Sequence, residues 1–373
     1  MEKRSMQLLS ICLILLLVAF SATACKKRKA TKDWETSAHA DSTAEAFRHW
    51  DEDDPAECPT SCAKCHSTQG FIDFVADGTV DAAVPAADIQ GITCEACHDN
   101  NAEALTQITF PSGETVTPTE ASTAICGVCH QGRESGASQI AKITAGDTNI
   151  EDNGSFIPYS DNLTAYLDTP TCPEANDNET DNITDCAPIT FRNVHYKAAA
   201  ATLFGGLSKV GVEYDGVTYP GKSVHPIGDC AGCHNTHSGA IDVGRKGRNC
   251  NACHGTVVTA EDIGTLPGKA TVANALALLL AGIESYAENN PDTPCIVFDE
   301  ASYPYWFTDE NCDGTVGDND TAYAAWTPRL VKAAYNYQVG LKDSGAWAHN
   351  KPYILAILAS SLADLTLSGY VTP

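Results

Sequence analysis

Apolar residues in the last third of the chain recur every three or four positions, which is the spacing of one face of a helix. This pattern predicts helices over 272–288 and 327–342, and a last helix that begins after Asn350, a good N-terminal cap. The apolar stripes are expected to face the core. The stripe of the last helix consists of Ile354, Ile357, Leu358, Leu362 and Leu365.

The apolar pattern is weaker in the middle of the chain. Residues 191–204 predict a helix that presents His195, and Val210–Tyr219 carries the one clear strand signal. The stretch Asp147–Asp185 is rich in Asp, Asn and Thr and predicts a long loop. The expected fold is therefore mostly irregular loops with short α-helices and few strands.

The N-terminus has the pattern of an export signal. A basic stretch precedes the apolar run Leu8–Phe20, and Ala22-Thr23-Ala24 then fits a small-x-small cleavage site. Residues 1–24 are predicted to be a signal peptide, which places the protein outside the cell or on the outer-membrane surface, with the periplasm as the alternative. Cys25 follows the cleavage site. It would be acylated if the signal is of the lipoprotein type, and that lipid would be the only contact with a membrane.

Composition points to covalent or redox chemistry. The 373 residues include 17 Cys but only two Met, both inside the predicted signal peptide. A reduced cytosolic protein has no use for so many thiols. Asp and Glu outnumber Lys and Arg by 48 to 23, and the formal charge of −25 argues against a nucleic-acid partner.

Five copies of Cys-x-x-Cys-His account for ten of the cysteines. Two thiols at this spacing can add across the vinyl groups at one edge of a porphyrin, and the imidazole that follows then ligates the iron. The alternative is zinc bound by four thiolates, but zinc ribbons do not need a His after every second Cys. Five covalently bound c-type haems are therefore predicted. The motif residues are Cys62, Cys65, His66, Cys94, Cys97, His98, Cys126, Cys129, His130, Cys230, Cys233, His234, Cys250, Cys253 and His254.

The other six histidines are candidates for the sixth position of each iron. Protein ligands at that position are usually His or Met, and a mature chain without Met leaves His. Imidazole on both sides of the iron closes both axial positions, which favours electron transfer over catalysis. Five of the six are expected to be distal ligands: His39, His49, His195, His225, His237 and His349.

Two pairs among the remaining cysteines predict local disulfides. Cys172–Cys186 and Cys295–Cys312 would each close a short loop, as is common in exported proteins. Cys58 is then left over. It pairs with Cys25 if that residue is not acylated, or it stays a free thiol.

The acidic segment 309–320 matches the opening of a calcium-binding loop. Oxygen-bearing side chains alternate and Gly314 stands at the turn, as Ca²⁺ requires, although Asp320 replaces the usual Glu at the twelfth position. The alternative is a solvated acidic loop. The predicted calcium ligands are Asp309, Asn311, Asp313, Thr315 and Asp320.

The sequence around the histidines resembles a known family. The segments CAKCHS, CGVCHQGRESG, CAGCHNTHSG and GAWAHN are similar to segments of extracellular multihaem c-type cytochromes of metal-reducing bacteria, and to the branch that polymerises into cytochrome nanowires. The resemblance covers most of residues 34–260 and returns near 335–365. It implies stacked bis-His haems, little regular secondary structure, and in some members a His donated across a subunit boundary.

These features predict an exported electron carrier that is not an enzyme. Its expected partners are other cytochromes or extracellular acceptors such as metal oxides, and further copies of itself in a filament. The alternatives are a multihaem reductase of the nitrite type with one open iron, and a subunit of an outer-membrane porin–cytochrome complex. The predicted regions are a signal peptide (1–24), a three-haem region (25–135), a loop-rich insertion with distal His (136–225), a two-haem region (226–256) and a helical C-terminal region (257–373).

Overall fold

In a computed structural model of the chain, the described residues form short helices joined by irregular loops. The prediction of short helices, much loop and few strands is confirmed. The predicted signal peptide, Cys25 and the predicted disulfide Cys172–Cys186 lie outside the described residues. The described residues are 28–144, 189–225, 228–244, 250–255 and 259–371.

Most helices in the described part of the chain have ten residues or fewer, and only three have fifteen or more. The helices are 28–35 (α1), Glu45–Arg48 (α2), Thr60–His66 (α3), Thr68–Asp77 (α4), Cys94–His98 (α5), Asn100–Glu103 (α6), Ala121–Cys129 (α7), Gly136–Thr144 (α8), Ala199–Phe204 (α9), Cys230–Cys233 (α10), Cys250–His254 (α11), Ala260–Gly264 (α12), Pro267–Asn289 (α13), Pro328–Lys342 (α14), Ala346–His349 (α15) and Lys351–Leu367 (α16). Short 3₁₀ helices cover Ala86–Asp88 and Gly205–Leu207.

The strands of the described residues form three antiparallel pairs of two or three residues each. Such short pairs brace loops and cannot form a core of their own. The pairs are Glu57–Cys58 (β1) with Val84–Pro85 (β2), Ile108–Thr109 (β3) with Thr115–Val116 (β4), and Ile296–Phe298 (β5) with Trp306–Thr308 (β6).

The described residues divide into two compact units. The first unit contains four of the Cys-x-x-Cys-His motifs, and the second contains the motif that begins at Cys126. The first unit comprises the described parts of Met1–Thr106, Thr119–Ile125 and Ile227–Ala260. The second comprises the described parts of Gln107–Pro118, Cys126–Pro226 and Glu261–Pro373.

A bundle of α13, α14 and α16 forms the core of the second unit, and the three helices predicted from apolar periodicity are confirmed. A proline in the first turn favours the start of each helix. The side chains of Thr327 and Asn350 cap α14 and α16 by accepting backbone N–H groups. Fully buried side chains of the bundle are Leu279, Ile283, Leu330, Ile354 and Ile357.

One helical stretch of the described residues, Ala260–Asn289, is long and apolar enough to cross a membrane by length and composition alone. Core helices of comparable length meet the same criterion. The buried side chains of this stretch, among them Leu279 and Tyr286, belong to the bundle of the second unit.

The strand predicted over Val210–Tyr219 is wrong, because this segment is a loop whose backbone groups bind helix side chains. The Gly211 N–H donates to the Tyr353 hydroxyl at 3.0 Å. The Val212 N–H donates to the Asn336 amide oxygen at 2.7 Å, and the Val212 carbonyl accepts from the Asn336 amide nitrogen at 2.9 Å. A backbone that is satisfied in this way does not need a partner strand.

The first unit has a smaller apolar core. Its buried side chains surround the helix that carries the first motif. They are Phe47, Trp50, Cys58, Ala63, Val84 and Ile89.

Candidate haem-binding sites

Each Cys-x-x-Cys-His motif lies on one short helical turn. The two cysteines are three residues apart, so their thiols emerge from the same side of the helix. The His either closes the helix or directly follows it, as His130 follows α7 and His234 follows α10. The five motifs therefore have the local geometry that attachment along one porphyrin edge requires.

The ten motif cysteines are all at least partly exposed. Cysteine is normally among the most buried residue types, as Cys58 is here. Thiols that are held in pairs at the polypeptide surface fit attachment to a flat apolar group that would cover them.

Four motif imidazoles are oriented by a contact to Nδ1. A hydrogen bond to an oxygen acceptor places the ring proton on Nδ1, so Nε2 carries the lone pair that can ligate a metal. The acceptors are the Ala46 carbonyl for His66 (2.7 Å), Glu103 Oε1 for His98 (3.0 Å), the Lys197 carbonyl for His130 (3.1 Å) and the Gly239 carbonyl for His234 (2.7 Å).

The first motif has a neutral imidazole. Burial lowers the pKa of His66, and the nearby His49 lowers it further. The hydrogen bond to the Ala46 carbonyl raises the pKa but does not offset these two effects. The pKa therefore lies below its ordinary value, and the ring is neutral at pH 7, as ligation of a metal requires. His49 is itself oriented by Glu45, whose carboxylate accepts from Nδ1 at 2.8 Å.

His98 and His237 lie close together in the first unit with nearly parallel rings. Their ring centroids are 6.4 Å apart and their planes differ by 21°. Two imidazoles bound on opposite sides of one metal, each at about 2.0 Å, have centroids roughly 6.3 Å apart. The structure therefore brings a proximal candidate together with a distal candidate from a segment 139 residues away in sequence (237 − 98).

His195 is not on a helix, so the helix predicted over 191–204 is wrong for its first half. The Asn193 side chain accepts the His195 backbone N–H at 2.8 Å, and His195 has a φ of +73°. This turn delays the start of the helix until Ala199. The same loop contacts the third motif, because the Lys197 carbonyl accepts from the His130 ring.

The other distal candidates occupy different settings. His39 and His225 lie on loops with exposed side chains. His349 ends α15, and its Nδ1 is 2.8 Å from a carboxylate oxygen of Asp343. Asp343 and Glu103 are not among the site residues that the sequence predicts. Their short separations from His349 and His98, six and five residues, are a signal that could have found them.

The predicted disulfide Cys295–Cys312 is confirmed, with the two Cα atoms 5.6 Å apart. It ties the acidic segment to β5. Cys58 is fully buried and has no disulfide partner among the described residues. Burial raises the pKa of its thiol to about 12.

The carboxylates of the acidic segment bind backbone groups of their own loop. Asp309 accepts from the N–H groups of Asp313 and Gly314, and Asp320 accepts from those of Glu310 and Gly317. In the described residues no group of three or more His, Cys, Asp or Glu side chains is close enough to hold a metal ion. Calcium binding by this loop stays a prediction.

Comparison with known proteins finds relatives in Geobacter sulfurreducens. The c-type polyheme cytochrome OmcB of two strains is 25% identical over 401 residues, which cover 86% of this chain and 46% of OmcB. The c-type polyheme cytochrome OmcC is 24% identical over 430 residues, which cover 94% of this chain and 48% of OmcC. The chain spans about half the length of the curated relatives it matches. No family model and no solved structure matches it.

These relatives confirm the resemblance to multihaem c-type cytochromes that the motifs indicated. The similarity extends over most of the chain.

Proposed function

We propose that this chain is an exported c-type cytochrome with five haems, which carries electrons to other cytochromes or to extracellular acceptors such as metal oxides. Five Cys-x-x-Cys-His motifs on helical turns and the polyheme relatives support the proposal. Each bound haem would supply one reversible one-electron iron couple. The resemblance to nanowire cytochromes extends the proposal to a self-polymer, for which negative-stain microscopy of the purified protein is the test.

The pair His98 and His237 carries the proposal that the irons have imidazole on both sides. The ring centroids are 6.4 Å apart, and Glu103 orients His98 through Nδ1. An iron held by both imidazoles would have no position left for a substrate, which would distinguish an electron carrier from a reductase.

The polypeptide then has two tasks. The paired thiols would fix each porphyrin covalently, and the Nδ1 contacts hold four of the five motif imidazoles in one orientation. Backbone carbonyl acceptors, such as those of Ala46 and Gly239, orient the imidazoles without adding a formal charge near a bound iron.

The variant His237→Ala tests this ligation. The wild-type protein is expected to show only low-spin haem and no reaction with CO. The variant is expected to convert one haem of five to a high-spin form that binds CO. His237→Met is the matched control, because a thioether restores the sixth ligand and raises the potential of that haem.

Two results would contradict the proposal. If His237→Ala leaves all haems low-spin, His237 is not the sixth ligand. If the wild-type protein already contains a high-spin haem that binds nitrite or CO, the reductase becomes the better account.

A further inference from the structure

We propose that Asp343 is a positioning residue that lowers the reduction potential of the haem ligated by His349. The inference rests on the proposed function, because it requires His349 to be an iron ligand. It goes further by assigning a tuning role to a residue outside the ligand set and by ranking one haem against the others.

The Asp343 carboxylate holds the His349 ring with both of its oxygens. The distances from Nδ1 are 3.0 Å to Oδ1 and 2.8 Å to Oδ2. The Gly345 N–H donates to Oδ1 at 3.0 Å. The Thr202 hydroxyl, which donates to the Ala198 carbonyl at 3.2 Å, is close to the carboxylate. Asp343 is only 3% exposed.

Gly345 lies between Asp343 and His349 in the sequence and allows this contact. A side chain at Gly345 would collide with Cε1 of His349, so the absence of a Cβ lets the ring lie against the turn. Asn350 follows directly and caps α16, and its amide also binds the Gly221 carbonyl at 2.8 Å. The ligand candidate and its carboxylate are therefore fixed on a rigid segment.

The other oriented imidazoles have weaker acceptors. His66, His130 and His234 donate to backbone carbonyls, which carry no formal charge. The carboxylates beside His98 and His49 are 58% and 83% exposed, so water screens them. Among the Nδ1 acceptors described above, Asp343 is the one carboxylate that is buried.

A buried carboxylate acts on iron through the imidazole. The oxygens of the buried Asp343 carboxylate accept from the His349 ring and from the Gly345 N–H, which is the acceptor-only pattern of an ionised carboxylate. The negative charge of Asp343 makes the imidazole donate more electron density to a bound iron, which favours ferric over ferrous iron. Adding one electron to this haem then requires a more negative potential than at a carbonyl-anchored haem.

The direct test is Asp343→Asn in the haem-loaded full chain, followed by spectroelectrochemical titration. Asn keeps an oxygen acceptor but removes the charge. At a fixed potential, the ratio of reduced to oxidised iron at one haem of five is expected to rise about tenfold, which corresponds to about 59 mV for one electron. The low-spin spectrum should be unchanged, since the ligand remains.

Two further variants make the test specific. Glu103→Gln removes an exposed carboxylate beside His98 and is expected to change the ratio less than Asp343→Asn, because water already screens that charge. Thr202→Val removes a polar group beside the Asp343 carboxylate while the charge stays, so the ratio should shift in the opposite direction. This variant keeps the inference falsifiable if Asp343→Asn does not fold.

The inference is overturned if Asp343→Asn changes no haem, or if Glu103→Gln changes one equally. It is also overturned if His349→Ala leaves all haems low-spin, since His349 would then not be a ligand. That outcome leaves the proposed electron carrier intact. A wild-type chain without haem would instead overturn the proposed function.

Discussion

At the scale of single residues, the imidazoles of this chain are oriented by a contact to Nδ1 more than by burial. The ring of His66 meets the carbonyl of Ala46, and the ring of His130 meets the carbonyl of Lys197. Such contacts leave Nε2 as the nitrogen that can bind a metal. The orientation of these candidate ligands is therefore set by the polypeptide itself.

Cys58 is predicted to be unreactive in the native protein. Its side chain is fully buried, and burial raises the pKa of the thiol to about 12, so almost no thiolate exists at pH 8. Iodoacetamide at pH 8, with peptide mapping, should label Cys58 only after denaturation. Labelling without denaturation would contradict the burial. If the denatured chain is labelled only after reduction, Cys58 is paired with Cys25.

At this scale, the sequence predicts the histidines but not the groups that their rings contact. The motif residues could be predicted because covalent haem attachment requires a fixed pattern over five adjacent positions. The carbonyls of Ala46 and Lys197 carry no sequence signal, because any residue supplies a carbonyl and only the fold brings it to the ring. His237 was a candidate from ligand supply, but its pairing with His98 needed the tertiary structure.

At the scale of elements, Asn336 connects two parts of the second unit. Its amide binds both backbone groups of Val212 and also donates to the Ser361 hydroxyl at 2.9 Å. Asn336 belongs to α14 and Ser361 to α16, and all three residues lie in the bundle and the loop packed on it. The side chain is fully buried.

Replacing Asn336 with Ala is predicted to lower the free energy of unfolding by about 3 kcal/mol, because the buried N–H and C=O of Val212 lose their partner. Guanidinium unfolding followed by far-UV circular dichroism measures this difference. Asn274→Ala, at an exposed position of α13, is the matched control and should change stability by less than about 0.5 kcal/mol. Equal effects of the two variants would contradict the role of Asn336.

The long helices were predictable and the strand was not, for related reasons. Apolar periodicity, first-turn prolines and the Asn350 cap act locally, so they mark α13, α14 and α16 in the sequence. The segment Val210–Tyr219 has strand-like residues, but the side chains that satisfy its backbone come from helices more than a hundred residues later. A local sequence pattern cannot predict a contact between residues so far apart in the chain.

At the scale of the whole molecule, the net charge of −25 decides how soluble partners approach. A strongly negative surface attracts cations and repels anions, and salt screens both effects, since the Debye length falls from about 30 Å at 0.01 M to about 3 Å at 1 M.

The reduced protein is therefore predicted to pass electrons faster to a cationic acceptor, hexaammineruthenium(III), than to the anionic ferricyanide after correction for driving force. Raising the salt concentration from about 0.01 M to about 1 M should slow the reaction with hexaammineruthenium(III) roughly tenfold and accelerate the reaction with ferricyanide. Stopped-flow absorbance of the haem bands measures both rates. Identical salt dependence for the two acceptors would show that surface charge does not guide the encounter.

The central claim is that five irons are held in this chain with imidazole on both sides. Quantitative electron paramagnetic resonance of the fully oxidised, exported protein tests it most directly, because spin state reports the ligands and spin count reports the number of haems. The account predicts five low-spin ferric haems per chain and no high-spin signal. A count below five, or a stoichiometric high-spin signal in the wild-type protein, would contradict it.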